Sequence, residues 1–155
     1  MLHALAWMEQ TPLSVFMRED FYAYFVALIG HAWGMAMLVG GGLALSLRGL
    51  GVAGQSDLAR WRVVLPVMRW GAVLATVSGL ALLAGYPAKA LTNPVFTIKF
   101  ACLIGAALLT ARLLRGNGAT RIQAAGALAL WLGGVAAGKL LLYTNSILMT
   151  AEVLP

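Results

Sequence analysis

The chain has 155 residues, of which 61% are hydrophobic and only 10% are charged, and its mean hydropathy is +0.87. A soluble globular domain carries about 25% charged residues, so this composition excludes a protein whose surface faces mostly water. The net charge of +6 comes from basic residues scattered along the chain, without the basic stripe and stacking aromatics of a nucleic-acid-binding surface. We therefore expect the protein to contact the lipid bilayer and not to bind nucleic acid.

The segment before the first apolar stretch contains a helix start, with Thr11 as N-cap and Pro12 in the first turn. Leu13, Phe16 and Met17 follow at helical spacing and fall on one face. Such a face predicts a short interfacial helix on the membrane surface. The segment lacks the basic start and the cleavage site of a secretory signal peptide, so we expect it not to be cleaved.

Four apolar stretches are long enough to cross a bilayer, which requires about 20 residues of helix. They are too long and too rich in Ala, Leu and Gly for strands. Glycine and proline mark the breaks, and Asn93-Pro94 is a start signal before the third stretch. The predicted spans are 21–47, 65–83, 95–114 and 122–143. The sequence thus predicts an all-α fold: one membrane domain over 1–155, a bundle of four transmembrane helices with a short N-terminal interfacial helix.

Two of the hydrophilic segments are rich in arginine, and they alternate with segments that are not. The N-terminal segment, the loop between spans two and three, and the tail contain only Arg18 and Lys89 as lysine or arginine. Because loops rich in Lys and Arg remain in the cytoplasm, we expect both termini to lie outside it. The arginine-rich loops, between spans one and two and between spans three and four, carry Arg48, Arg60, Arg62, Arg115 and Arg121.

His31 is an ionisable residue near the middle of a predicted span. It lies about ten residues into span one, or about 15 Å deep at 1.5 Å per residue. Gly30 and Gly34 form a small-xxx-small pair beside it, which marks close helix approach, so we expect the imidazole to point into the bundle. Two interpretations fit. His31 is a cofactor ligand or proton relay, or it is a neutral histidine bonded to a carbonyl or to the hydroxyl of Thr76 or Ser78.

Lys99 and Lys139 lie in the outer third of the membrane in this orientation. Each either snorkels to the headgroups or turns inward. No carboxylate lies within a predicted span, so an inward pair of ammonium groups would require an anionic ligand or the carboxylate of a partner. A haem propionate, a lipid phosphate or a quinone oxygen would serve. The chain's own outer segment offers a further source of negative charge, since Glu9, Glu19 or Asp20 could fold over the lysines. Tyr86 and Tyr143 lie at the same outer end, where their hydroxyls would join this site.

Metal binding is the other chemistry that the spans offer. His31 and Met35 are four residues apart, and imidazole with thioether suits Cu(I). Haem b requires one strong axial histidine. The other histidine, His3, is in the outer segment, so a bis-histidine haem would require that segment to fold inward. No catalytic motif of a familiar kind occurs, and we expect a protein that is not a stand-alone enzyme.

A series of short motifs extends over nearly the whole chain. They are Trp7-x-Glu9-x-Thr11-x-Leu13-Ser14, His31-x-x-Gly34 with Gly40, Leu47-Arg48-Gly49-Leu50-Gly51, Asn93-Pro94-x-Phe96-x-x-Lys99, and Trp131 followed by Gly138-Lys139 and Tyr143. In these motifs the chain resembles a family of small bacterial four-helix membrane proteins of unknown function. The resemblance implies a fold and a location in the bacterial inner membrane, and no established activity. Such proteins often carry arginine where Lys139 stands; lysine keeps the charge but not the bidentate fork.

More distantly, the chain is similar to the copper-resistance D proteins and to the haem-binding protoporphyrinogen oxidases of the bacterial membrane. These are helical bundles with a first-helix histidine and a later lysine, which correspond to His31 and Lys99. This similarity implies haem b or copper as the cofactor.

Three functional hypotheses follow. The first is a haem- or quinone-associated protein of a membrane redox chain, in which His31 is the axial ligand or proton relay and Lys99 and Lys139 hold an anionic group. The second is a non-catalytic anchor or accessory subunit of a larger complex, whose charges pair with a periplasmic or membrane protein partner. The third is copper handling through His31 and Met35.

Overall fold

The computed structural model describes residues 7–52, 58–115 and 120–151, with the backbone alone at residues 58, 59, 89, 142 and 144–151. These described residues are mostly helical, with no strand among them. In chain order they are α1 (Pro12–Glu19), α2 (Phe21–Gly49), a 3-10 helix (Leu58–Val64), α3 (Leu65–Gly85), α4 (Pro87–Leu91), α5 (Pro94–Arg115) and α6 (Arg121–Ala151).

Helices α2, α3, α5 and α6 each contain a segment long and apolar enough to cross a membrane. The predicted all-α class, with four such helices and a short N-terminal helix, is confirmed, and it supports a multi-pass membrane protein. His3 and the side chain of Lys89 lie outside the described residues.

Helix α1 begins as predicted. The Thr11 hydroxyl oxygen accepts a hydrogen bond from Ser14 N at 3.4 Å, and Pro12 is the first helical residue. Leu13 and Phe16 are exposed, as an interfacial helix requires, but Met17 is buried. The three residues share one side of α1, as predicted, but Met17 lies at the edge of that face nearest α3 and packs against it.

The buried side of α1 lies against the end of α3. The Ser14 hydroxyl donates to the Gly85 carbonyl at 3.2 Å, and Ser14 is almost fully buried. The Met17 Cβ is 3.5 Å from the position that a Cβ on Gly85 would occupy. Contacts within this part of the chain therefore place α1 on the last turn of α3.

Capping groups define the ends of the long helices. A Schellman motif ends α2: Gly51 N donates to Arg48 O at 2.9 Å and Val52 N to Leu47 O at 3.1 Å. Gly51 has φ +92°, a left-handed conformation that glycine adopts without the steric cost of a Cβ.

Helices α5 and α6 begin at side-chain caps. Asn93 caps α5 by accepting from Val95 N at 2.9 Å, so the predicted start signal is confirmed. Thr120 and Gln123 form a capping box at α6, with two 3.3 Å bonds.

The chain divides into two compact units. The first unit consists of Met1–Gly41 and Trp61–Thr92, and the second of Gly42–Arg60 and Asn93–Pro155. Each unit thus contains a different part of α2. The predicted single membrane domain stays a prediction.

In the first unit, α2 and α3 cross at glycines. A Cβ built on Gly34 would meet Ala75 N and would lie 2.8 Å from Gly71 O. A Cβ on Gly71 would lie 2.7 Å from Leu38 N. Only residues without side chains permit backbones this close, so the two glycines fix where α2 and α3 touch.

The second unit has a buried tryptophan at its centre. Trp131 has no exposed surface, and its indole N–H donates to the Thr110 hydroxyl at 3.1 Å. That hydroxyl donates to Ala106 O at 2.8 Å, which satisfies both polar groups. The indole lies against Gly42 of α2, where a Cβ would be 2.6 Å from Cζ2. The missing side chain of Gly42 therefore makes the space that Trp131 fills.

Candidate functional site

His31 lies in the first unit, half-buried between α2 and α3. Its Nδ1 is 3.0 Å from the carbonyl oxygen of Ala75. Because a carbonyl only accepts, Nδ1 carries the hydrogen in this bond. The sequence predicted that the imidazole points into the bundle, and its bond to Ala75 shows that it faces the neighbouring helix α3.

Two small residues make this contact possible. Ala75 is the residue whose backbone touches α2 at Gly34, so its carbonyl is brought within reach of the imidazole one turn away. A Cβ built on Gly79 would lie 3.1 Å from Cε1 and 3.2 Å from Nδ1 of His31, which is tighter than an ordinary van der Waals contact. The missing side chain at Gly79 thus leaves room for one edge of the ring.

The carbonyl bond is one of the two kinds of partner that the sequence suggested for His31. The hydroxyl of Ser78 donates to Leu74 O at 2.5 Å and to Ala75 O at 3.4 Å, and Thr76 is exposed. The Ala75 carbonyl is therefore a partner of Nδ1. A structural histidine has such a bond, and so does a ligand histidine, whose other nitrogen then faces the metal.

Met35 lies one helical turn after His31 and is half-buried. Tyr86, also in the first unit, follows the last residue of α3 and is 36% exposed. Among the described residues, no group of three or more His, Cys, Asp or Glu side chains is placed to hold a metal ion. The copper site predicted from His31 and Met35 stays a prediction that rests on two ligands.

Lys99, Lys139 and Tyr143 belong to the second unit. Lys99 is half-buried, and its Cε and Nζ are 3.5 and 3.7 Å from the Cβ position of Gly138 on α6. Its side chain therefore turns across the α5–α6 interface, where Gly138 makes room for it. Lys139, the next residue of α6, is exposed, as is Tyr143. Their role in holding an anionic group stays a prediction.

From the sequence, Arg48 is only one of several basic residues near a loop. In the structure its side chain is half-buried, and its Nε is buried with no hydrogen-bond partner among the described residues. The sequence signal was its position: Arg48 ends a long apolar helix immediately before Gly49 and Gly51. A buried guanidinium N–H without an acceptor is uncommon, so the end of α2 at Arg48 is a second candidate site, separate from His31.

The four long apolar helices support a small multi-pass membrane protein, in which His31 lies in the middle part of α2 and Arg48 in its last turn. Comparison of the chain with protein-family models, characterised proteins and solved structures finds no match.

Proposed function

We propose that the protein binds haem b within the membrane, with Nε2 of His31 as the axial ligand, and works in electron transfer. The observation that carries the proposal is the 3.0 Å contact between Nδ1 of His31 and Ala75 O. In a neutral imidazole that donates through Nδ1, the lone pair lies on Nε2. A backbone carbonyl bonded to Nδ1 also fixes the ring and raises the basicity of the ligand nitrogen.

Haem b suits the residues at this site better than the alternatives do. His31 and Met35 would give a copper ion only two protein ligands, one of them a weakly binding thioether, which makes a poor site. Haem iron takes four nitrogens from its own macrocycle, so that one strong histidine is sufficient. When bound, haem b supplies one-electron chemistry at its iron. The chain would supply the Nε2 nitrogen of His31, whose orientation is fixed by the bond from Nδ1 to the Ala75 carbonyl.

The spectrum of the purified protein tests the proposal. We would purify the full chain in mild detergent with haem supplied during expression, and record reduced-minus-oxidised spectra of the wild type and of His31→Ala. The matched control is His3→Ala, which removes the other histidine of the chain. We expect sharp haem b bands in the wild type and in His3→Ala, and their loss in His31→Ala.

Imidazole rescue separates a ligand from a structural histidine. Added imidazole should restore the bands in His31→Ala, because it replaces the missing ligand without repairing the Ala75 contact. A folded, colourless wild type would contradict the proposal and leave the quinone, copper and accessory-subunit hypotheses. Bands that persist in His31→Ala would remove His31 as the ligand.

The distribution of arginine also supports a location and an orientation for the protein. We infer that the protein lies in a bacterial inner membrane with both termini outside the cytoplasm. Arg48 lies in the last turn of α2 and Arg62 in the 3-10 helix before α3, while Arg115 ends α5 and Arg121 begins α6. These are the segments that the positive-inside rule keeps in the cytoplasm.

A further inference from the structure

Three helix ends meet in the second unit, at the C-termini of α2 and α5 and the N-terminus of α6. A Cβ built on Gly49 of α2 would lie 2.9 Å from the Cβ of Ala124 on α6 and 3.7 Å from Leu113 of α5. Leu113 and Ala124 belong to a buried apolar cluster, against which Leu50 packs. The end of α2 is therefore held between the other two helices.

Arginines surround this meeting point. Arg48 precedes Gly49, and its Nε is buried with no hydrogen-bond partner among the described residues. Arg121 is the first residue of α6, and its Nη2 is 4.0 Å from the Cβ position of Gly51. Two more arginines lie in the last turn of α5 beside Leu113. The arginine junction, as we call this group, consists of Arg48, Arg112, Arg115 and Arg121.

The arginine junction has a strong positive charge. The sequence ranges of the second unit contain two acidic residues, Asp57 and Glu152, and both lie outside the described residues. The carboxyl-terminal ends of α2 and α5 offer partial negative charge that favours arginine. These partial charges do not explain why the Nε–H of Arg48 is buried. They are also too small to neutralise four full positive charges at one helix junction.

We propose that the arginine junction binds the phosphate group of an anionic phospholipid, with the guanidinium groups of Arg48 and Arg121 as its main donors. Guanidinium groups bind phosphate oxygens through paired, charge-assisted hydrogen bonds. Basic groups between membrane helices are known to hold lipid headgroups of this charge. The inference is independent of haem binding at His31, which lies in the other unit.

A lipid headgroup fits the arginine junction better than a free phosphate ion does. Ile122, the residue after Arg121, is 83% exposed, and Leu108 on α5 is 61% exposed. Large apolar side chains beside the arginines suit acyl chains and a glycerol backbone. A free ion would leave that apolar surface uncovered.

The test measures lipid binding by the full chain in detergent. Thermal unfolding and native mass spectrometry would be recorded with added phosphatidylglycerol, with phosphatidylcholine and with inorganic phosphate. We expect phosphatidylglycerol to remain bound and to raise the unfolding temperature, while the other two additions do not. Arg48→Gln and Arg121→Gln should each weaken phosphatidylglycerol binding about tenfold, the loss typical of a charged hydrogen bond.

The matched control is Arg69→Gln, which removes an exposed arginine of α3 in the first unit. It should bind phosphatidylglycerol as the wild type does. If Arg48→Gln does not fold, Arg48→Lys keeps the positive charge but removes the Nε–H, and weaker binding is again expected. An equal effect of phosphatidylcholine, or equal losses in Arg69→Gln, would overturn the proposal. A response to inorganic phosphate alone would reduce the site to a free-anion site and overturn the lipid assignment.

Discussion

At the scale of residues, neighbouring glycines in α2 have unequal roles. Gly40 and Gly42 are two positions apart in an uninterrupted helix. A Cβ on Gly42 would enter the indole of Trp131, whereas a Cβ on Gly40 would meet no atom within 4 Å. Trp131 has little freedom to give way, because it is fully buried and its N–H is bonded to Thr110. The same chemical change should therefore have opposite consequences at the two sites.

We expect Gly42→Ala to destabilise the protein by about 1–3 kcal/mol, the usual effect of overpacking a core. Gly40→Ala should be neutral or stabilising by up to about 1 kcal/mol, because alanine favours helix over glycine. Thermal unfolding in detergent, followed by the fluorescence of tryptophan, measures both. Equal effects at the two positions would show that the indole of Trp131 does not occupy the space beside Gly42.

Met17 and Leu13 form a second matched pair of residues. Both are large apolar side chains of α1, but Met17 is 7% exposed and Leu13 is 61% exposed. Met17→Ala should weaken the docking of α1 on α3 by about 2 kcal/mol, through lost burial and the cavity that it leaves. Leu13→Ala should leave the docking unchanged.

Hydrogen exchange of the backbone amides of 12–19 measures the docking of α1. We expect faster exchange in Met17→Ala and wild-type exchange in Leu13→Ala. Protection lost equally in both variants would indicate that α1 is held by the membrane surface and not by its contact with Gly85.

At the scale of elements, hydropathy alone predicted the long helices well. The spans expected at 65–83 and 95–114 are the helices Leu65–Gly85 and Pro94–Arg115. The Thr11 and Asn93 caps were also recognisable, since their effect on the chain is local. The short helix α4 was not predicted. Gly85-Tyr86-Pro87 indicates the end of a helix, and the sequence does not show that a new helical turn begins at Pro87.

Most contacts between helices could not be predicted from the sequence. The pair Gly30 and Gly34 predicted a close approach, and Gly34 makes it, but nothing in the pattern identifies Gly71 and Ala75 as the other side. The burial of the Arg48 Nε could not be predicted from the sequence either. Burial in an apolar helix depends on which face meets a neighbour, and a sequence that is apolar on all faces does not specify that face.

The crossing of α2 and α3 makes a prediction at this scale. Gly34→Ala should push the helices apart, because its Cβ would meet the backbone of Ala75. Gly30→Ala is the control, since its Cβ would be at an ordinary 3.5 Å from Ser78 Cβ. We expect a loss of about 1–3 kcal/mol in Gly34→Ala and little change in Gly30→Ala.

The position of His31 gives this crossing a functional readout. If the crossing positions Ala75 O for the imidazole, haem bands should weaken in Gly34→Ala and persist in Gly30→Ala. Thermal unfolding and the reduced-minus-oxidised spectrum would be recorded on the same samples. A stable Gly34→Ala protein with unchanged haem bands would show that haem binding does not depend on the close crossing of α2 and α3.

At the scale of the whole molecule, the charge pattern predicts which ends of the helices face the cytoplasm. Two exposed positions report it, Gln10 before α1 and Val52 after α2. In a Cys102→Ser background, Gln10→Cys should react with a membrane-impermeant maleimide in intact spheroplasts. Val52→Cys should react only after the membrane is permeabilised, because its neighbour Arg48 belongs to an arginine-rich segment that stays inside. The reverse labelling would invert the topology, and it would place the arginine junction against the outer leaflet, where anionic lipid would have to be sought instead.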